Sequence, residues 1–310
     1  MSSQHEIVFG FFSGRGHEIQ SLVLVRSLRQ FGGELSNLPV WIFVPEGQIL
    51  DYRKEQALLN LQTEIIPFKI EETFRKFPFA LKAVAAAQAE KLAENHHNIL
   101  AWHDRTGMIR HAPKAFRLPD DKVIGFRPTD IANIGPRISH PLPLFWQKIC
   151  DHFNISIDQL PEITTIIDRI KLHLYVNAGL LVVRPKKQIL RKWAENFQKT
   201  YAQPEFKRFY QEDQRYAIFM HQAALTAAVV MKTKSKERLI LPENYLFSVD
   251  NFLEYPEELR PNSLDEIITG RFHDFFALDN WEDLIIASDT LIDWFKEQLN
   301  EGLYWPVQNN

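Results

Sequence analysis

Over roughly the first two thirds of the chain, short apolar runs alternate with stretches of helical periodicity. Residues 7–12 (IVFGFF) run into Ser13-Gly14-Arg15-Gly16, residues 40–44 end at Pro45, and residues 176–183 stop just before Pro185. Residues 65–68 and 99–102 are of the same kind. Short apolar runs bounded by turn signals read as buried strands. Between them, residues 19–30 carry Leu22, Val25 and Leu28 on one face and stop at Gly32-Gly33. Residues 80–94 are alanine-rich and helical, and 188–199 are amphipathic through Ile189, Trp193 and Phe197. Strands alternating with helices imply an α/β sheet flanked by helices.

The rest of the chain is read in the same way. Helices are expected at 146–153, 161–172, 213–231 and 284–299, with an exposed tail after the last. The 213–231 helix is apolar nearly all round and is therefore expected to be deeply buried. Strands are expected at 238–241 and 267–276. Residues 110–143 hold many prolines and few periodic runs, so they read as one long irregular segment of the kind that usually carries function. No Pro/Gly/Ser linker divides the chain, and a single domain over 1–310 with an elaborated C-terminal part is expected.

Composition excludes several classes. A net charge of −3 offers no electrostatic case for nucleic acid or an anionic membrane. One cysteine, Cys150, excludes an intramolecular disulfide. No apolar run approaches the roughly 20 residues that span a bilayer, and MSSQHEIVFGFF lacks the basic and apolar regions of a signal peptide. A soluble, cytoplasmic protein is the expectation. The sequence contains no Gly-x-Ser-x-Gly elbow, no zinc spacing and no Gly-x-Gly-x-x-Gly after the first strand.

Polar residues interrupt the apolar pattern at a few points. His103-Asp104-Arg105-Thr106 closes the 99–102 strand. Asp104 and Arg105 either serve a ligand there or cap the strand and pair with each other. Asn177 lies within a strand, where asparagine is disfavoured; it either points its amide into a cleft or makes a turn with Gly179. His221-Gln222 interrupts the apolar helix, and His273 precedes Asp274. The turn Ser13–His17 either cradles phosphate through backbone N–H groups or is a plain turn. Arg127, Asn133 and Arg137 lie in the irregular segment.

The order of these pieces resembles the GT-A glycosyltransferases, particularly the glycogenin-like and galactinol-synthase-like group. IVFGFF resembles the first strand, SLVLVRSLR the following helix, and ILAWHDRTGMI the strand that carries Asp-x-Asp. YVNAGLLVVRP resembles the Phe-Asn-x-Gly segment and HQAALTAAVV the Asp-Gln-x-x-Leu-Asn helix, while His273 in TGRFHDFF stands where that group often has its last metal ligand.

The resemblance implies a GT-A-like mixed central sheet, with a nucleotide-binding half over about 1–110 and an acceptor-side elaboration over about 111–310. It implies transfer of a hexose from a nucleotide diphosphate sugar to an unknown acceptor, with retention of configuration. Asp104, Asn177 and Gln222 fall at the reacting centre. Phe11, Phe12, His103, Asp104, Arg105, Gly179 and His273 fall on the donor side, with the base near Phe11 and Phe12. Arg137 and His221 fall on the acceptor side. The family's usual cofactor is Mn²⁺ or Mg²⁺, for which the candidate ligands here are Asp104 and His273, with Asp274 beside it, because the Asp-x-Asp motif is degenerate. Arg105 in the cation's place, pairing bidentately with phosphate, would give donor binding without a metal. The same degeneracy leaves open a non-catalytic member of the fold that binds a sugar nucleotide or a protein.

Overall fold

The computed structural model describes residues 6–138 and 141–300. Its main sheet contains β1 (Ile7–Phe12), β2 (Val40–Pro45), β3 (Thr63–Phe68), β4 (Ile99–His103), β6 (Ile124–Pro128), β9 (Val176–Val183) and β10 (Arg238–Ile240). The strands lie in the order β10-β6-β9-β4-β1-β2-β3. All neighbours are parallel except around β9, which runs antiparallel to both β4 and β6. Every residue of β9 is buried, which explains why its run is apolar apart from Asn177. A smaller sheet joins β5 (Gly107–Ile109), β12 (Thr269–Arg271) and β11 (Phe247–Ser248), and β12 runs antiparallel to β5. That pairing carries the chain after residue 271 back beside the end of β4: Phe272 N–H donates to Thr106 O at 2.8 Å.

Helices α1 (Glu18–Phe31), α2 (Tyr52–Asn60), α3 (Glu72–Arg75), α4 (Ala80–Ala93), α5 (Leu144–Phe153), α6 (Ile189–Thr200), α7 (Pro204–Glu212), α8 (Gln214–Lys232) and α9 (Asp289–Asn300) complete the architecture. The alanines of α4 are small enough to bring it close to α6 and to the sheet, and Ala80, Ala83, Ala86, Ala89 and Ala93 are fully buried. On the same helix, the buried Glu90 carboxylate accepts the N–H groups of Leu190 (3.1 Å) and Arg191 (2.9 Å), capping the start of α6. In α8, Asp213 accepts from Arg215 N–H at 2.9 Å as the N-cap, and residues 220–230 are buried without exception. No helix of the described residues is long and apolar enough to cross a membrane.

Several sequence expectations are corrected. Residues 161–172 form no helix but a hairpin, β7 (Glu162–Thr164) and β8 (Lys171–His173). The β-branched run Ile163-Thr164-Thr165-Ile166-Ile167 disfavours helix, Thr165 Oγ1 closes the turn on Asp168 and Ile170, and Arg169 takes φ 56°. The irregular segment contains β6. The 267–276 strand shrinks to Thr269–Arg271 because His273 turns to φ 37°. The last helix starts at Asp289 rather than 284, after Ser288 Oγ accepts from Leu291 N–H at 3.3 Å. Helices α2 and α7 had no counterpart in the sequence reading. The expected tail after residue 299 lies largely outside the described residues.

Candidate functional site

The C-terminal ends of β1, β4 and β6 meet the beginning of β9 at one edge of the main sheet. Open sheets of this kind bind ligands beyond their strand ends. A cleft of about 550 Å³ lies there and adjoins a second compartment of about 260 Å³. Phe79, Lys82, Asp104 and His273 line both. The larger compartment is cationic and aromatic, with Phe12, Arg75, Lys76, Phe77 and Arg105 on its walls. The smaller presents Asp130, Asn133, Asn177, His221, Gln222 and Arg271.

An ion pair stands where the compartments meet. Lys82, in the first turn of α4, places Nζ 2.5 Å from Asp104 Oδ1, and the two side chains are 8% and 20% exposed. Burial pushes the Asp104 carboxyl up, but the Lys82 ammonium overrides it and holds the group below the usual carboxylate range. Burial lowers the Lys82 pKa, and Asp104 opposes that shift. Asp104 N–H is itself fixed by Gly179 O at 2.8 Å. Arg105 does not pair with Asp104. Its guanidinium lies 5.4 Å from the Phe12 ring centroid, a cation–π distance. Its Nη2 is 3.3 Å from Nε2 of His17, whose pKa burial and Arg105 together lower to about 4.

On the second compartment, Asn177 Oδ1 accepts from Gly179 N–H at 2.9 Å and Gln222 Oε1 from Ala178 N–H at 3.3 Å. His221 Nδ1 lies 2.7 Å from Ile218 O and acts as the donor, so Nε2 is the acceptor nitrogen. Burial, reinforced by Lys82, lowers the His221 pKa to about 3. Asp130 is buried between Arg127 and Arg271, each 3.7 Å away, and burial raises its pKa. Phe79 has φ 61° and ψ 7°, a left-handed conformation that costs a bulky residue about 1–3 kcal/mol.

The structure thus gathers Phe12, Asp104, Arg105, Asn177, His221, Gln222 and His273 around one cleft, and leaves four expected residues away from it. Phe11 is fully buried against Phe9, on the opposite face of the sheet from Phe12. The His103 ring turns inward, with Nδ1 2.9 Å from Asp104 O and the ring packed beside Gly107 and Phe9. Gly179 contributes its backbone to the end of β4, and a Cβ there would meet Leu246 at 2.9 Å. Arg137 is exposed and bridges to Leu172 of the hairpin, outside the cleft walls. In the Ser13–His17 turn four amides are occupied: Gly16 N–H donates to Glu18 Oε2 at 2.8 Å, Arg15 N–H to Gln48 Oε1 at 3.1 Å, Ser13 N–H to Phe43 O at 2.9 Å and His17 N–H to Gly14 O at 3.0 Å.

The family model for the Rhodobacterales glycosyltransferase domain matches residues 11–232. The chain belongs to this glycosyltransferase family. Its fold is similar to the apo structure of the bifunctional glycosyltransferase WbbM, with a TM-score of 0.56 and 10% identity over 94% of this chain. That similarity covers 52% of WbbM, so the chain spans about half of that enzyme's length. It is also similar to the galactosyltransferase LgtC, solved with donor and acceptor sugar analogs: TM-score 0.51, 12% identity, 89% of this chain and 93% of that one. No curated protein sequence matches. The fold is GT-A, and the chain is a transferase.

Glycosyltransferases of this fold commonly hold a divalent cation at the end of β4, and the residues of this chain do not fit one. Among the described residues no group of three His, Cys, Asp or Glu side chains could hold a metal. Asp104 is already paired with an ammonium, His103 faces the core, and Lys82, Arg105 and Arg271 crowd the position with positive charge. A hard cation needs several oxygen ligands, and this donor set does not supply them. Sequence reasoning missed Lys82, Phe79, Asp130 and Arg271. One signal was available for Lys82: a charge on the buried face of an alanine-rich helix is rarely placed there without a partner.

Proposed function

We propose that the chain transfers a hexose from a nucleotide diphosphate sugar to an acceptor without a divalent metal. The observation that carries this reading is the Lys82–Asp104 pair at the junction of a cationic, aromatic compartment and a smaller one rich in amide and other polar groups. The larger compartment takes the donor, with the base near Phe12 and the diphosphate against Lys82 and Arg105. A leaving diphosphate develops negative charge, and preorganised cations in a partly buried site stabilise it without reorganisation. Arg105 suits bidentate phosphate contact and Lys82 supplies a point charge. Asp104 holds that ammonium in place.

In the smaller compartment Asn177 and Gln222, whose carboxamide oxygens are engaged by the β9 backbone, offer amide N–H groups to the hydroxyls of the sugar and acceptor. His221 Nε2 and Asp130 supply acceptors opposite them. The resemblance to the glycogenin-like and galactinol-synthase-like group supports a hexose as the transferred unit.

A thermal-shift panel of UDP-, GDP-, ADP- and dTDP-sugars, each with Mn²⁺ and with EDTA, tests the reading through binding linkage. Stabilisation by one nucleotide class that survives EDTA is the expected outcome. Stabilisation only with Mn²⁺ overturns the metal-free part. No stabilisation by any donor overturns the donor assignment and favours a member of the fold that transfers nothing.

A further inference from the structure

Phe79 is unusual in three independent respects. It is a bulky residue in the left-handed region at the N-terminus of α4, with no side-chain capping bond. It is 45% exposed, while the neighbouring Phe74 is buried. Its ring lines both compartments of the cleft. One face is stacked on the His221 imidazole, with centroids 4.3 Å apart and planes 25° apart. The Lys82 ammonium lies 5.9 Å from the ring centroid. The backbone itself does not call for phenylalanine, since glycine or asparagine adopts this left-handed conformation at less cost. Strain of this kind persists where the side chain is needed for something other than folding.

The surroundings narrow what the ring serves. The smaller compartment is otherwise lined largely by polar side chains, among them Asn177, Gln222 and Asp130. A hexose has the matching two-sided chemistry: hydroxyls around its rim and an apolar C–H face that packs on the electron-rich face of an aromatic ring. A nucleobase would also stack on an aromatic ring. However, Phe79 shares the smaller compartment with the amides of Asn177 and Gln222, whereas Phe12 and Phe77 line only the larger one. We infer that Phe79 is the stacking platform for the donor's hexose, held in its strained backbone to keep the ring between the two compartments. This inference rests on the donor reading above.

The test compares each nucleotide sugar with its bare nucleoside diphosphate, using UDP, GDP, ADP and dTDP and their glucose conjugates, together with UDP-galactose and GDP-mannose. Affinities are measured by calorimetry on the full chain for wild type, Phe79→Asn and Phe79→Tyr. In wild type the sugar conjugate binds more tightly than the bare diphosphate. In Phe79→Asn that advantage falls by about three- to tenfold, the range of an aromatic stacking contribution, while the bare diphosphate binds as before. Phe79→Tyr keeps the advantage. The melting temperature of Phe79→Asn stays close to that of wild type, because the relieved backbone strain offsets the lost stack on His221.

An unchanged sugar advantage in Phe79→Asn overturns the assignment. So does an equal loss for both ligands, or a lower melting temperature with an unchanged advantage, since each would make the ring a packing residue for the loop. If no nucleotide or nucleotide sugar binds wild type, the donor reading itself fails, and that outcome is seen before any variant is made.

Discussion

Removing either partner of the Lys82–Asp104 pair should destabilise the fold unequally, and removing both should restore most of the loss. The ammonium is the more deeply buried member, 8% exposed against 20% for the carboxylate, at 2.5 Å separation. In Asp104→Asn the buried ammonium loses its counter-charge beside Arg105 and Arg271, both of which already act to lower its pKa. Breaking a buried pair from one side costs about 3–5 kcal/mol. An unfolding entropy of about 2.1 cal/mol/K per residue over 310 residues converts each kcal/mol into about 1.5 °C, so the melting temperature should fall by about 5–8 °C. In Lys82→Met the carboxylate left behind still reaches the cleft and can take a proton, so the loss should be about 1–3 kcal/mol. The double variant carries neither charge and should lie within about 1–2 kcal/mol of wild type, because neutral replacement of a buried pair is often nearly free. The signs with pH are fixed as well. The folded-state pKa of Asp104 is depressed, so its stabilisation is present above the ordinary carboxylate range and is lost as pH falls through the lower folded value. Lys82→Met should flatten that acid limb. Calorimetry of the four proteins at two pH values closes the cycle. Additive losses, within about 0.5 kcal/mol, would refute the reasoning, because they would mean that the pair has no energetic coupling in solution.

Four further predictions concern the framework of the molecule. Glu90→Ala should cost about 2–4 kcal/mol, since it uncaps α6 and removes one of the two carboxylates that pair with Arg191; urea unfolding measures it. Burial raises the Glu90 carboxyl from 4.5 to about 6, so its stabilisation is complete below about pH 4.5 and declines as pH rises through about 6, a slope that Glu90→Gln should abolish in melting curves. Gly107→Ala would place a Cβ 2.2 Å from His103 Cε1 and 2.9 Å from Asp104 O, costing about 1–3 kcal/mol; adding His103→Ala should recover part of the melting temperature, and no recovery would place the clash at the backbone. The Cys150 thiol, raised to about 11 by burial and Asp151, should react with a thiol reagent at pH 8 far more slowly than free cysteine does.

The parts of this molecule that were legible in its sequence are those encoded by local periodicity. Strand β9 reads as an apolar run broken at Asn177 because it is covered on both faces and paired on both edges. Helix α8 reads as nearly apolar all round because its 220–230 stretch is buried without exception. Asp104, Asn177, Gln222 and His273 were visible because each is a polar interruption of an apolar pattern. The misses have a common physical cause. Residues 161–172 looked helical by apolar count, but their β-branched content and one threonine side chain decided for a hairpin. His103 and Arg105 sit at the positions where Asp-x-Asp is expected, and reasoning along β4 put both on the donor side without the lysine that faces them. In three dimensions His103 turns inward, Arg105 leans on Phe12 and His17, and the ammonium that meets Asp104 arrives from α4, 22 positions earlier in the chain. A strand-end motif specifies what its own residues offer but not what a facing helix brings to them. A lost metal ligand is therefore poor evidence of lost function until the facing elements are known: here the helix across the cleft supplies a fixed positive charge at the position where the motif, read alone, leaves a gap.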